Sequence, residues 1–118
     1  TKEAIDRIVD VFPSGQQNQT RNSLSSTLLS VIAQRLLPDT TGLSRVPCFE
    51  ILMNTPSVGA IIRDGKNFML DNVLETSEEE GMILFEKYLL QLYRAGQISK
   101  ETAKDHAIRK KLIDKLIP

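Results

Sequence analysis

The sequence has little of what several protein classes require. Its 118 residues include a single cysteine, Cys48, so no internal disulfide can form and the chain fits a reducing cytosol. No apolar run approaches the ~20 residues that a membrane-spanning helix needs, and no signal peptide opens the chain. Lysine plus arginine and aspartate plus glutamate balance at 15 each, and this zero net charge argues against a general binder of nucleic acid or anionic membrane.

Residues that carry catalysis are also scarce. The sole histidine, His106, lies on a charged predicted helix, which favours a solvated side chain over a general base. Cys48 lies in an apolar run without a histidine near it, which favours an inert buried thiol. Segment 59–67, GAIIRDGKN, has one residue too many between its glycines for a P-loop and an asparagine where the magnesium-binding hydroxyl belongs. The sequence therefore predicts no catalytic, cofactor or metal site within these residues.

A central stretch, residues 31–54, predicts the only two strands. The runs 31–37 and 46–53 flank a polar turn and pair as a hairpin. Both runs are almost continuously apolar, as strands covered on both faces are, and a lone hairpin is marginal in water. We therefore expect a larger sheet, of which this chain is a piece, and the lack of an initiator methionine agrees with this. Pro47 cannot donate to a sheet ladder, so its amide position should face an edge or sit at a strand start.

Glu50 is a carboxylate within the second apolar run, so it requires a partner. Arg35 and Arg45 are the candidates across the hairpin. A structural ion pair is favoured over a catalytic carboxylate.

Apolar periodicity predicts helices on both sides of the hairpin. The first helix ends at Pro13, and a second begins with Ser14 and Gln17 at capping-box spacing. After the hairpin, Thr55 and Pro56 predict the cap and first position of a third helix, and Asp64 and Gly65 predict its end.

Three further helices are predicted towards the C-terminus. One covers about residues 67–75. The next begins with a capping box of Ser77 and Glu80, which puts the carboxylates of residues 78–80 at the positive end of a helix dipole. The last is a single helix that begins at Ser99 and carries a basic cluster, residues 109–111, near its C-terminal end as a solvated face.

An ordered set of short motifs resembles the type IV pilus twitching-motility ATPases, which belong to the type II/type IV secretion ATPase family. Over roughly residues 4–105 the chain keeps the order and spacing of IDRIVDVFP at 5–13, AQRLLP at 33–38, FEI at 49–51, NTP at 54–56 and GQIS at 96–99. The resemblance implies an α+β, mainly α, fold class. Residues 1–54 would be the C-terminal end of a RecA-like P-loop ATPase domain, and residues 55–118 a helical C-terminal region.

The resemblance also implies a function for the parent protein. The parent would be a cytoplasmic hexameric motor ATPase, peripheral to the inner membrane, that uses ATP and magnesium to drive pilus retraction and twitching motility. The P-loop would lie upstream, so this fragment would bind no cofactor and hydrolyse no ATP alone. Its partners would be its own N-terminal ATPase region, neighbouring subunits of the hexamer and the pilus machinery, but not nucleic acid.

The helix after the hairpin departs from the family's retraction signature, Ala-Ile-Arg-Asn-Leu-Ile-Arg-Glu. Residues 57–64 are SVGAIIRD, so Gly59 and Ala60 replace an arginine and an asparagine, and the glycine should weaken the helix by ~1 kcal/mol. This form resembles the paralogue that accompanies the main retraction motor. Arg63, Asp64 and Lys66 become candidates for a subunit contact that transmits motor movement, with a solvated helix end as the alternative.

Two other functions remain open at this point. The chain could belong to a pilus-assembly or secretion ATPase, or it could be a non-enzymatic helical protein-interaction module.

Overall fold

The computed structural model describes all 118 residues and contains seven α-helices and one two-stranded sheet. Short 3₁₀ turns cover Ser14–Gln16, Asn67–Met69 and Glu78–Glu80. The architecture is mainly α with one hairpin, as predicted. In chain order the elements are α1 (Lys2–Asp10), α2 (Gln17–Thr27), β1 (Ser30–Pro38), β2 (Arg45–Met53), α3 (Pro56–Arg63), α4 (Leu70–Thr76), α5 (Phe85–Arg94), α6 (Lys100–His106) and α7 (Lys110–Leu116).

The two strands pair in one continuous antiparallel register. At the turn the Asp39 amide donates to the Ser44 carbonyl over 3.0 Å, and at the open end the Asn54 amide donates to the Leu29 carbonyl over 3.0 Å. Because hydrogen-bonded pairs alternate along an antiparallel ladder, this register puts Pro47 at a non-hydrogen-bonded position with its nitrogen towards the outer edge. The missing donor therefore interrupts no bond, which confirms the predicted edge position.

One face of the hairpin is only partly covered within this chain, where Phe49 packs edge to face on Tyr88 with ring centroids 5.5 Å apart. β2 buries Cys48, Glu50 and Leu52, which alternate along the strand. Ile32 and Leu36 of β1 are 59% and 54% exposed. The apolar character that predicted strands covered on both faces thus leaves an apolar side open to solvent.

By packing, the chain divides into two compact units, each of which includes part of the hairpin. The first unit comprises residues 1–32 and 51–82, and the second comprises residues 33–50 and 83–118. The predicted boundary between residues 54 and 55 concerns the parent protein and stays a prediction.

In the first unit, helices α1, α3 and α4 bury one apolar face each, with Ile5 and Val9, Val58 and Ile62, and Leu70 and Leu74. Helix α3 begins and ends as predicted. The Thr55 hydroxyl accepts from the Val58 amide over 3.3 Å, and Gly65 follows the helix with a φ of 68°. A left-handed residue of this kind is favourable only for glycine and stops the helix.

Gly59 lies where α3 comes closest to α2. A Cβ on this residue would lie 3.3 Å from the Ser25 carbonyl oxygen and 3.5 Å from Asn54 Oδ1. Asn54 Nδ2 joins the same contact, because it donates to the carbonyls of Ser25 and Leu28 over 3.0 and 2.6 Å. The glycine lowers helix propensity, but it permits the close approach of two helices.

The second unit has one hydrophobic core built on β1, β2 and the last three helices. Gly96, with a φ of 74°, ends α5, and the Ser99 hydroxyl caps α6 by accepting from the Thr102 amide over 3.1 Å. The cap at Ser99 matches the sequence prediction. The buried core residues are Leu37, Cys48, Phe85, Leu89, Leu92, Ile98, Ala103, Ala107, Ile113 and Ile117.

Both predicted capping boxes are wrong. Ser14 opens a 3₁₀ turn without a side-chain cap, and the Gln17 side chain donates instead to the Phe12 carbonyl over 3.1 Å. The segment after Ser77 also forms a 3₁₀ turn, which ends at Gly81 with a φ of 86°. A left-handed glycine at this place prevents the turn from continuing as a helix, so α5 begins only at Phe85.

Candidate functional site

A buried charge cluster lies in the second unit around Glu50. Arg109 Nη1 donates to Glu50 Oε1 over 3.1 Å and to Glu86 Oε1 over 2.7 Å. The Glu50 and Glu86 side chains are 4% and 0% exposed, and that of Arg109 is 21% exposed. One guanidinium therefore serves two carboxylates removed from water.

The arginine partner of Glu50 differs from the ones the sequence suggested. Arg35 lies opposite Cys48 in the register and places its guanidinium 5.5 Å from the centre of the Phe85 ring. Arg45 lies at the exposed start of β2. Neither forms an ion pair with Glu50. The guanidinium that binds Glu50 belongs to Arg109, 59 residues further along the chain.

Glu86 also explains why the predicted last helix is two helices. Its Oε2 accepts from the backbone amides of Ile108 and Arg109, each over 2.9 Å. Unpaired amides at a helix start need acceptors, and here a carboxylate from α5 supplies one to the start of α7. Arg109 is therefore not part of a solvated basic face.

The hydrogen bonds of this cluster indicate a role in stability and not in catalysis. Glu50 Oε1 accepts from the Phe85 amide over 3.3 Å as well as from the guanidinium of Arg109. Carboxylates held by fixed protein donors in a packed interior are not aimed at a substrate. Sequence analysis missed Glu86, although a glutamate three positions before the buried Leu89 already indicated a charge on the apolar face of the helix.

The other reactive side chains are also held by the protein. Burial raises the pKa of the Cys48 thiol to about 12, and the negative charge of Glu86 acts in the same direction. The thiol lies 3.8 Å from the Phe85 carbonyl oxygen. His106 places Nδ1 3.0 Å from the Thr102 carbonyl oxygen within its own helix. Cys48 is thus buried, as the sequence predicted, and its raised pKa disfavours the reactive thiolate.

The candidate subunit-contact residues lie together at the C-terminal end of α3. Arg63, Asp64 and Lys66 are all exposed around the left-handed Gly65. Segment 59–67 is a helix followed by a turn, not the loop after a strand that a phosphate-binding motif needs. That a neighbouring subunit contacts these residues stays a prediction.

Two general findings complete the description of the site. No helix has the length and hydrophobicity to cross a membrane. No three histidine, cysteine, aspartate or glutamate side chains are grouped so that they could hold a metal ion.

Comparison with known proteins finds no matching family model, but it finds clear relatives. The chain is 40% identical over 105 residues to the "Twitching motility protein" of Neisseria gonorrhoeae and 37% identical over 105 residues to the "Type IV pilus ATPase PilU" of Pseudomonas aeruginosa. Each alignment covers 89% of this chain and 28% of the relative. The crystal structure of the pilus retraction motor PilT with bound ADP matches 98% of this chain and 32% of that one, with a TM-score of 0.85 and 31% identity.

The chain belongs to the family of PilT- and PilU-type pilus ATPases. The predicted family is thereby confirmed, and so is the fold class, because the helices and hairpin match the C-terminal part of the PilT fold. The PilU relative is consistent with the PilU-like form of α3. The chain spans less than a third of the length of the PilT- and PilU-type proteins that it matches.

Proposed function

We propose that this chain is the C-terminal portion of a cytoplasmic, ring-forming motor ATPase that powers type IV pilus retraction. The observation that carries the proposal is the match of 98% of the chain to the retraction motor PilT at a TM-score of 0.85. ATP and magnesium would bind upstream of these residues, and the work would be done at the inner membrane. The chain itself would position moving parts of the motor and contact neighbouring subunits.

The exposed apolar side chains of β1 support this proposal physically. Ile32 and Leu36 expose apolar side chains on a strand that has no further neighbour in this chain. Two-stranded sheets need more strands or a covering layer for stability, and a RecA-like domain upstream would supply both.

The test compares this chain with the same chain extended upstream. The extended protein should bind and hydrolyse ATP with magnesium, whereas the 118 residues alone should do neither. The matched control is the extended protein with its P-loop lysine replaced by alanine, which should lose hydrolysis. An upstream sequence without Gly-x-x-x-x-Gly-Lys-Ser/Thr would overturn the proposal. Deletion of the gene should abolish twitching and leave the pili in place, and loss of pili or of secretion would indicate an assembly or secretion ATPase.

A PilU-type accessory motor is the second candidate, and Gly59 favours it. The retraction signature has an arginine at this position, but a Cβ here already lies 3.3 Å from the Ser25 backbone oxygen. An arginine therefore requires α2 and α3 to move apart. If the protein is an accessory motor, it should restore twitching to its own deletion strain only while the main retraction motor is also present. Restoration in a strain that lacks both motors would exclude this candidate.

A further inference from the structure

Three cationic side chains flank the C-terminal half of α3, where Arg63 Nη1 lies 3.7 Å from where a Cβ on Gly59 would be. Arg21 reaches across from α2, and its Nε lies 3.3 Å from where a Cβ on Gly65 would be. Arg63 ends the helix, and Lys66 follows Gly65 directly. We call Arg21, Arg63 and Lys66 the basic surface.

The basic surface has no carboxylate partner within the chain. None of its three cations takes part in an ion pair, and the only side-chain hydrogen bond of Arg21 is to Asn18 Oδ1 over 3.0 Å. A helix C-terminus carries about half a negative charge, and Asp64, between Arg63 and Lys66, adds one more, which together are less than the three positive charges. The surface therefore has positive charge that the fold does not neutralise.

A complementary acidic surface lies elsewhere in the same unit. Glu75, in the last turn of α4, and Glu79 and Glu80, in the 3₁₀ turn that follows, are all exposed. We call these three residues the acidic surface. The sequence assigned residues 78–80 to a helix start, where the dipole stabilises carboxylates. Because α4 ends at Thr76 and α5 begins only at Phe85, these carboxylates lie in an isolated 3₁₀ turn, whose dipole is much smaller than that of the predicted helix.

The acidic surface therefore carries charge at an unfavourable place. Glu75, in the last turn of α4, opposes the dipole of that helix, and Glu79 and Glu80 add two like charges a few residues further on. None of the three pairs with the basic surface of the same chain. Intramolecular stability thus explains neither surface, although the chain as a whole is neutral.

We propose that the basic surface of one subunit docks on the acidic surface of a second copy of this chain. The two surfaces consist of different residues, so the contact is head-to-tail, and head-to-tail contacts generate closed rings when the rotation allows. Opposite charges on the two surfaces would fix the relative position of the two subunits and raise their rate of association. The inference rests on the proposed function in one respect, since it supplies a subunit contact for the ring of the motor.

The test reverses each surface in the complete polypeptide that contains these residues. One variant carries Arg21→Glu, Arg63→Glu and Lys66→Glu, and the other carries Glu75→Lys, Glu79→Lys and Glu80→Lys. Sedimentation velocity at low ionic strength should show self-association weakened by at least about tenfold for each variant alone. An equimolar mixture of the two should associate as the wild type does, because the reversed surfaces then complement each other.

Two further measurements make the outcome decisive. Far-UV circular dichroism shows whether each variant is folded. If a charge-reversed variant is unfolded, a variant with glutamine at the same positions is tested in its place. Zero-length carbodiimide coupling of mixed unlabelled and ¹⁵N-labelled chains should join Lys66 of one isotope to Glu79 or Glu80 of the other. The matched control reverses two exposed charges outside both surfaces, Glu101→Lys and Lys111→Glu, and should associate normally.

Three results would each overturn the inference: normal association of both reversed variants, failure of the mixture to associate, or cross-links confined to single chains. ATP hydrolysis by the wild-type extended protein, measured in parallel, separates this result from the proposed function. If the wild-type extended protein hydrolyses ATP and the reversed variants associate as the wild type does, the docking contact alone is refuted. If the wild-type extended protein does not hydrolyse ATP but the mixture of variants associates normally, the proposed motor function alone is refuted.

Discussion

Replacement of Arg109 by methionine tests the buried charge cluster directly. Methionine keeps most of the side-chain length and removes the guanidinium that binds Glu50 and Glu86 at 3.1 and 2.7 Å. The backbone amide of residue 109 is unchanged, so its bond to Glu86 Oε2 can persist. The variant therefore removes the charge without removing the cap of α7.

The expected loss of stability follows from what remains buried. Removing one partner of a buried ion pair typically costs about 3–5 kcal/mol, because the remaining charge is left uncompensated. Here two carboxylates lose the same guanidinium, but Glu86 keeps amide donors and the site of Arg109 is 21% exposed, which lets water approach. We expect about 3 kcal/mol, the lower end of that range. For a domain of this size that corresponds to a fall in Tm of roughly 12 °C.

Urea unfolding followed by circular dichroism measures this loss, and Lys111→Met is the matched control. Lys111 is exposed on the same helix, so its replacement should change the free energy of unfolding by less than about 0.5 kcal/mol. In a Glu86→Gln background, Arg109→Met should cost less, because only one buried carboxylate then loses the guanidinium. Equal losses for Arg109→Met and Lys111→Met, or additive effects in the double variant, would refute the assignment of a buried, coupled cluster.

Three further predictions concern packing and reactivity. Gly59→Ala should lower the free energy of unfolding by about 1 kcal/mol, because overpacking against the Ser25 carbonyl outweighs the gain in helix propensity. Thermal unfolding measures this loss. The control variant Gly15→Ala should show no such loss, because no atom lies within 4 Å of the added Cβ. Asn54→Ala removes two hydrogen bonds to the end of α2 and should lower the free energy of unfolding, measured in urea, by about 1–3 kcal/mol. An unfolding midpoint equal to that of the wild type would contradict this prediction. Because its pKa is raised to about 12, Cys48 should react with a disulfide reagent at pH 8 roughly a thousandfold more slowly in the folded protein than in urea, and similar rates would contradict its burial.

Local signals in the sequence located much of the fold. The cap at Thr55 and the stop at Gly65 depend on residues next to each other in the chain, so the sequence shows them directly. The hairpin follows in the same way from two apolar runs around a polar turn. The position of Pro47 at an edge follows from the chemistry of proline alone.

The errors arise where a distant residue decides the local structure. The segment around Ile108 continues the helical periodicity of its neighbours, but the carboxylate of Glu86 accepts its amide and breaks the helix. The partner of Glu50 was sought across the hairpin, whereas Arg109 comes from the far end of the chain. No pattern within a short window contains such pairings, because they exist only after the core of the second unit has formed.

The same contrast separates structural charges from those available for function. In the interior, Glu50 and Glu86 have donors within the protein, and their positions are explained by stability alone. At the end of α3, Arg63 and Lys66 have no ion-pair partner, and the cost of holding like charges together is not offset within the chain. The basic and acidic surfaces are therefore where this chain leaves charge for another molecule, and the charge-reversal experiment measures whether they contact each other.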